Sequence, residues 1–397
     1  MHRPPVTHPR ATERDWWWIF DPRLSLRARA ALITGVSALA FTLLASALAG
    51  TLVRRSLERQ LGANFETLAF QLADKLDRVI LARQRELQLA ASLAPMRSTG
   101  TPPAERRKQL ELVQDNSRDF AWLGFADAGG TLRAATGGVF EGTPAGSRPW
   151  FLVARERNYA AGPAELPALT NELTPGGDAR AARYLDLAVP VQSAEGPLLG
   201  VLGAHLHWDW TREVQFSVVP ETARREQIGV TVYSATGDVL LDSGASGWSQ
   251  PPEPPAISDA RKFRGTLLET TAAGTSYVSG FARSRGYREY RGLGWLIVVR
   301  QPADLALAPA RELQATLFGW GVVLSAALVI VSWISAGRIS RRLRGMTLAA
   351  QRIRDGDVLS ILPRPQGDGE LARMCGSVGD LVEDLREKAR ARDESPK

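Results

Sequence analysis

An alternating run in this chain reads Tyr184-Leu185-Asp186-Leu187-Ala188-Val189-Pro190-Val191. Successive side chains of a β-strand point to opposite faces, so the four aliphatic residues at odd-numbered positions share one face. Tyr184, Asp186 and Ala188 share the other face. A turn at Ser193–Pro197 leads into a second run, Leu198–Trp208. The pattern predicts an antiparallel hairpin that buries its aliphatic face and leaves Asp186 on the opposite face.

Hairpin patterns occur at two places about 107 residues apart. The paired segments are Ala121–Ala126 with Thr131–Thr136, and Ile228–Tyr233 with Asp238–Asp242. Each hairpin precedes a loop-rich stretch and then longer strands, which in the second copy are Ser276–Ala282 and Trp295–Arg300. Two similar units with helices at one side indicate an α+β fold with antiparallel sheets.

A long amphipathic helix is predicted ahead of the first hairpin. Its apolar residues recur at three- and four-residue spacing, namely Leu57, Leu61, Phe65, Leu68, Leu72, Leu76 and Val79. This spacing forms one stripe of a helix that reaches Leu93 and ends at Pro95. The stripe has two compatible interpretations: packing on its own domain, and transmission of a shift toward a membrane.

Two charge-free apolar segments, residues 30–53 and 313–336, are each about 24 residues long. A helix of that length crosses a hydrocarbon core of about 30 Å. Arginines are concentrated before the first segment and after the second. This predicts a bacterial inner-membrane protein with both termini in the cytoplasm and residues 54–312 in the periplasm. These arginine-rich flanks explain the net charge of +7, so no nucleic-acid partner is predicted.

Three further patterns bear on the outer segment. Ala47-Leu48-Ala49 resembles a signal-peptidase site, but the charged leader of residues 1–29 is long, so an uncleaved anchor is favoured. The one cysteine, Cys375, falls in the predicted cytoplasmic part, so no disulfide is expected outside. Arginines 283, 285, 288 and 291 alternate with tyrosines 287 and 290, and this segment is interpreted as a turn near the membrane, solvated or in contact with lipid headgroups.

The outer segment resembles a double Cache sensor domain over about Arg54–Glu312. Arg148-Pro149-Trp150-Phe151 stands where that family places an Arg-x-Trp-aromatic motif, and Gly200–Ala204 matches a strand that closes the same pocket. The resemblance implies two PAS-like sheets on one long N-terminal helix, with a distal unit over about 95–226 and a proximal unit over about 227–302. Receptors of this kind include diguanylate cyclases, histidine kinases and chemoreceptors.

The resemblance also implies a small-molecule pocket in the distal unit. The predicted ligand-binding residues are Arg148, Trp150, Phe151, Tyr184, Asp186 and His205. The guanidinium of Arg148 suits a carboxylate or a phosphate, and Trp150 and Phe151 would form apolar walls. The competing interpretations are a structural arginine that closes a loop and a surface carboxylate at Asp186.

His205 departs from the family pattern. Amino-acid-binding members carry an aspartate on this strand, and a tyrosine about five residues before the arginine, where this chain has Thr143. An imidazole does not replace a carboxylate as an ammonium partner, so the hypothesis is an organic anion as ligand. His205 and His207 share a strand face, which also fits a metal site or a pH sensor. Ordinary polar packing is preferred, and neither a metal nor a cofactor is predicted.

Two heptad runs follow the second apolar segment. The first contains Ile339, Leu343, Met346, Ala350 and Ile353, and the second contains Leu371, Met374, Val378, Leu381 and Leu385. Two short helices with such seams need a partner, most simply a second copy in a parallel four-helix coiled coil. Residues 337–387 resemble a HAMP domain, in which Gly356 matches the connector glycine and Glu370 the acidic residue that opens the second helix. Arg342 and Gly369 depart from the family pattern.

These features together predict a homodimeric receptor and no catalytic residues. Residues 388–397 form a short tail, and the sequence contains no phosphate-binding loop, paired-cysteine metal motif or nucleophile elbow. The output is therefore expected in trans, through a separate cyclase, kinase or other partner. Two alternatives stay open: the sensor half of a split or truncated diguanylate cyclase or histidine kinase, and a solute-binding module for a membrane transporter.

Overall fold

The computed structural model describes residues 26–173, 183–219, 222–243, 254–255, 262–271 and 274–354, with a few separate positions between 373 and 384. The helices are α1 Leu26–Ser92, α2 Ala94–Arg97, α3 Pro103–Asn116, α4 Pro149–Ala154, α5 Pro167–Leu173, α6 Trp210–Val218, α7 Thr222–Arg225, α8 Ala303–Ala306 and α9 Ala308–Arg354. The strands are β1 Phe120–Asp127, β2 Leu132–Ala135, β3 Tyr159–Glu165, β4 Arg183–Gln192, β5 Leu198–His207, β6 Gly229–Tyr233, β7 Val239–Asp242, β8 Arg264–Thr270, β9 Ser276–Arg283 and β10 Leu296–Pro302.

The strands form two antiparallel five-stranded sheets with the same topology. The first sheet has the order β2-β1-β5-β4-β3 and the second has the order β7-β6-β10-β9-β8. Each sheet is therefore built from a hairpin, an edge strand and a final pair of strands in the same sequence order. This identity of order confirms the predicted repeat and the α+β class.

The two outer strands, β3 and β8, were not expected from the sequence. β3 contains Gly162-Pro163 and three alanines in seven residues, and its pairing with β4 is irregular between Ala161 and Ala164. Proline is tolerated on an edge strand because the missing N–H faces away from the ladder. β8 alternates only between exposed and half-buried residues. Both strands lack the hydrophobic run that identifies a central strand, because each packs against a neighbour on one side only.

Helix α1 packs against both sheets. Phe65, Leu72 and Leu76 are buried in a core that also contains Leu187 of the first sheet and Val299 of the second. The aliphatic face of β4 lies in this core, as its alternation predicts, whereas its other face belongs to a separate cluster. Burial of each such side chain stabilises the fold by about 1.5–3 kcal/mol.

The two sheets are joined by contacts at the start of β4 and just after β5. The Arg183 guanidinium donates to the carbonyls of Val239 and Leu240 at 3.1 and 3.3 Å. The indole N–H of Trp208 donates to the Leu240 carbonyl at 3.0 Å, and its ring meets Trp295 edge-on at 5.3 Å between centroids. The adjacent strands β4 and β5 of the first sheet are thus held to β7 of the second.

The segment with alternating arginines and tyrosines packs on the middle of α1. The buried Asp77 carboxylate accepts hydrogen bonds from the Ser284 hydroxyl at 2.6 Å and the Gly286 backbone N–H at 2.9 Å. Tyr290 is buried as well. The Arg78 guanidinium of α1 also lies over the Tyr287 ring. The aromatic side chains of this segment are thus used in packing on α1, and its position relative to a membrane stays a prediction.

The beginning of α1 and the helix α9 include two stretches long and apolar enough to cross a membrane, and only 6% of each apolar window is buried within the protein. Their polar side chains face one another. The hydroxyls of Thr34 and Ser332 are 3.1 Å apart, and Ser46 donates to the Gln314 carbonyl at 3.1 Å. Each of these hydroxyl donors thereby has an acceptor on the other helix.

The predicted relay residues divide into two groups. Ile339, Leu343, Met346 and Ile353 lie on α9, which continues without a break to Arg354. The others, Gly356, Glu370, Leu371, Met374, Val378 and Leu381, lie outside the described residues. The HAMP assignment therefore stays a prediction.

The contact between α1 and the second sheet depends on the absence of a side chain at Gly280. A Cβ at this position of β9 would collide with the α1 backbone at Phe65 and Glu66. We expect Gly280→Ala to destabilise the protein by roughly 3 kcal/mol, because backbone atoms yield less readily than side chains. Thermal unfolding of the full chain in detergent measures this. Gly100→Ala is the control, since its Cβ would have no neighbour closer than 4.0 Å. Equal midpoints for the two variants would contradict the contact.

Candidate ligand-binding site

The face of the first sheet that points away from α1 carries an aromatic cluster. Trp122, Trp150, Phe151 and Tyr184 are buried there among alanines and Val201. Small residues on this face leave space above the strands, and α4 covers part of it. The cluster is separate from the core around α1, because the two lie on opposite faces of the same strands.

Three side chains form a row across the central strands. The strand register places Trp122 of β1 beside His205 of β5, and His205 beside Asp186 of β4. The His205 Nδ1 and Asp186 Oδ1 atoms are 2.7 Å apart. The Trp122 ring stacks on the imidazole, with centroids 5.0 Å apart and planes inclined by 29°. The imidazole is thus held by a carboxylate on one side and an indole on the other.

A cavity of about 690 Å³ lies above this row. Its apolar lining includes Trp122, Leu132, Phe140, Trp150, Leu166 and Leu169. Four charged or titratable side chains also line it, namely Arg148, Glu165, Asp186 and His205. A mostly apolar wall with a few polar groups is the usual character of a small-molecule site.

Arg148 stands at the rim of the cavity, one residue before α4. Its extended backbone, with φ −72° and ψ 135°, precedes Pro149, which favours that conformation and opens the helix. The loop before it is tied to the β1–β2 turn, because the Ala145 N–H donates to the Gly130 carbonyl at 2.7 Å. The Arg148 side chain is exposed. Within the described part of the chain its guanidinium has no carboxylate partner, so its donors remain available to a ligand.

Trp150 forms a wall of the cavity and rests on β5. Its six-membered ring would be only 3.0 Å from a Cβ built on Gly203, so the glycine makes room for the indole. Phe151 meets Trp150 edge-on, with centroids 6.0 Å apart. The edge-on contact with Phe151 thus helps to hold the Trp150 ring in its position on β5.

Two of the six predicted ligand-binding residues are not part of the cavity lining. Phe151 and Tyr184 are both about 2% exposed and lie in the aromatic cluster. The Tyr184 hydroxyl is 3.3 Å from the Thr170 hydroxyl of α5. Phe151 and Tyr184 therefore pack behind the cavity residues and support them. The other four predicted residues, Arg148, Trp150, Asp186 and His205, line the cavity.

Several lining residues had no signal in the sequence. Glu165, Leu166 and Leu169 come from the end of β3 and from α5, a stretch without a recognisable strand pattern. Trp122 belongs to a predicted strand, but its face could be assigned only from the pairing with β5. Thr143 also lines the cavity.

Burial changes the pKa of two groups near the row. The pKa of His207 is lowered because the buried imidazole is poorly solvated when charged, so this residue is neutral near pH 7. The pKa of Tyr159 on β3 is raised by burial and, to a lesser extent, by the negative charge of Asp186. Over the ranges that the structure describes, no three metal-ligating side chains converge, and His207 packs on Tyr184.

No family model matches this chain, and no curated protein matches it. Solved structures do resemble it. The ligand-binding domain of the Pseudomonas aeruginosa PAO1 amino acid chemoreceptor PctC, in complex with GABA, is 18% identical over 62% of this chain and 99% of its own, with a TM-score of 0.44. The ligand-binding domain of the Pseudomonas fluorescens chemoreceptor CtaA, in complex with L-serine, is 18% identical over 63% and 99%, with a TM-score of 0.43. The extracellular domain of rpHK1S-Z16, a candidate histidine kinase, is 16% identical over 63% and 98%, with a TM-score of 0.46.

The position of Trp150 can be tested at Gly203. We expect Gly203→Ala to lower stability by about 1–2 kcal/mol, because the rigid indole must move to admit the methyl group. Thermal unfolding of the full chain reports the loss. Gly129→Ala is a matched control, since its Cβ would make only an ordinary contact with Asp127 at 3.4 Å. A midpoint for Gly203→Ala as high as that of the control would mean that Trp150 does not rest on β5.

Proposed function

We propose that this chain is a membrane-spanning receptor that binds a small carboxylate-bearing ligand in the cavity of the first sheet. The observation on which this rests is the exposed Arg148 at the rim of an apolar cavity. A guanidinium presents two parallel N–H donors that match a carboxylate. No carboxylate of the described chain occupies them, so a ligand can.

The apolar walls favour a ligand with an apolar body attached to that carboxylate. Trp122, Phe140 and Trp150 offer ring surfaces, and Leu166 and Leu169 add aliphatic surface. Contact with such walls excludes water and strengthens the charge contact at Arg148. The cavity, at about 690 Å³, is larger than the volume of a very small acid, so we expect a ligand of phenylacetate size or larger.

The fold offers a route by which occupancy of the cavity can influence the rest of the sensor. The cavity side chains Asp186 and His205 are on β4 and β5, whose other faces pack on α1. Arg183, at the start of β4, and Trp208, which follows β5, bind the carbonyls of β7. A ligand that pulls on these two strands would therefore favour a different packing of α1 and of the second sheet. The requirement is that the two packings differ in ligand affinity.

Both apolar helices are proposed to span a bacterial inner membrane. Their exposed apolar surface and the hydroxyl pairs between them support this. Arg27 donates to the Gly337 carbonyl at 3.1 Å, so the start of the first span lies beside the end of the second. With arginine-rich flanks at that end, both termini would be cytoplasmic and the two sheets periplasmic.

The output is proposed to pass through a HAMP-like coiled coil formed by two copies of the chain. The heptad positions Ile339 and Leu343 on the continuous helix α9 support such a seam. The partner that reads the signal would be a separate cyclase, kinase or other protein.

The ligand class can be tested with three compounds that share a phenyl ring: phenylacetate, phenethylamine and L-phenylalanine. Calorimetric titration of the full chain in nanodiscs should show binding of phenylacetate. Arg148→Ala should weaken it about 10- to 100-fold, because charge-assisted hydrogen bonds contribute about 1.5–3 kcal/mol. Arg155→Ala, an exposed arginine just beyond α4, is the control and should bind like the wild type. Binding of phenethylamine alone, or phenylacetate binding that is insensitive to Arg148→Ala, would refute the proposal.

A further inference from the structure

The cavity is lined by two carboxylates and one guanidinium, a charge balance that is unfavourable for binding an anion. Arg148 is opposed by the carboxylates of Glu165 and Asp186, which line the same space. Glu165 is 3.9 Å from the Arg183 guanidinium, a loose and largely exposed pair. Asp186 has His205 as its partner at 2.7 Å. A ligand carboxylate that enters must therefore face Asp186 unless the charge of the Asp186–His205 pair changes.

His205 can make that change because only one of its ring nitrogens is used. In the neutral imidazole, Nδ1–H donates to Asp186 and Nε2 is an acceptor, which repels a carboxylate. Nε2 has no hydrogen-bond partner among the described residues. Protonation turns Nε2 into a donor and cancels the charge of Asp186. The Trp122 ring stacked on the imidazole is also a favourable neighbour for an imidazolium.

We propose, on the basis of the function proposed above, that the cavity takes up its carboxylate ligand together with one proton from solution, which His205 holds on Nε2. Asp186 is the positioning residue that keeps the imidazole oriented and stabilises its charged form. The ligand is thus an organic anion whose binding depends on pH, and the receptor reads the product of anion and proton concentrations.

The other groups around His205 do not supply this proton. From β4, Tyr184 is buried with its hydroxyl beside Thr170, and Asp186 is the acceptor. From β3, Tyr159 has a pKa raised above its already high ordinary value. His207 on β5 has a pKa lowered by burial. Arg148 before α4 and Glu165 at the end of β3 are the other charged groups that line the cavity.

The direction of the effect follows from linkage. If binding takes up one proton that the free protein does not already hold, the affinity falls about tenfold for each unit by which the pH rises. A carboxylate ligand itself remains ionised near neutral pH, so it does not supply this proton. An amine would behave oppositely, because it would bind to the ionised Asp186 and expel the proton.

The test is calorimetric titration of the full chain in nanodiscs with phenylacetate between about pH 5.5 and 8.5. Each pH is measured in two buffers of different ionisation enthalpy, which gives the number of protons taken up. We expect the affinity to fall at least 30-fold, on the order of the linkage slope, and an uptake approaching one proton near pH 7.5. His205→Asn should abolish both the pH dependence and the uptake, whereas His207→Asn should retain them.

A second variant separates loss of fold from loss of proton uptake. Asp186→Asn retains a hydrogen-bonding side chain but removes the charge that stabilises the imidazolium, so the proton uptake near pH 7.5 should fall and the pH dependence of phenylacetate binding should become shallower than in the wild type. Binding to the wild type that is independent of pH, or that strengthens as pH rises, overturns the proton-linked site while the proposed function stands. Tighter binding of L-phenylalanine than of phenylacetate, without proton uptake, does the same. No binding of any of the three compounds at any pH overturns both.

Discussion

The packing of α1 against two sheets is the constraint on which the rest of this two-sheet region depends. One helix carries an apolar stripe long enough to serve both sheets, and its buried residues share one core with aliphatic residues of β4, β5, β6 and β10. Because that core takes one face of each sheet, the opposite faces are free for other uses. In the first sheet the free face holds the cavity. In the second it holds a cluster around Tyr233, Phe281 and Val298.

The period-two alternation of β4 and β5 converts this packing into a site. The same strands that fix the sheet to α1 present Asp186 and His205 on their other side, two residues that face each other across the ladder. The site is therefore mechanically connected to the core through the strands themselves. The contacts of Arg183 and Trp208 with β7 extend this connection to the second sheet, as the proposed function requires.

Much of the fold followed from patterns that depend on local geometry. Leu72 and Leu76 occur at helical spacing, and Leu185 and Leu187 at strand spacing, so helix, strands and buried faces were predictable. The repeat was predictable because both hairpins have turn residues at similar offsets. The edge strands β3 and β8 were not, since a strand with one neighbour needs no continuous apolar run. The packing of the segment around Tyr287 on α1 was not predictable either, because arginines and tyrosines suit both a lipid surface and packing on a helix, and composition does not distinguish them.

The candidate site was predictable in part. Arg148, Trp150, Asp186 and His205 were identified from a motif and from strand faces, and the structure places all four around one cavity. Phe151 and Tyr184 lie behind the cavity. Phe151 is adjacent to Trp150 on a short helix, and the sequence does not show which of the two rings faces the cavity. Tyr184 is covered by α5, which packs over β4. The partnership of Asp186 with His205, the stacking of Trp122 and the presence of Glu165 depend on strand register and on the path of a chain segment without regular pattern. Periodicity within one segment determines which face a residue occupies; only the pairing of segments distant in sequence determines which residue stands next to it, and the chemistry of this site lies in those pairings.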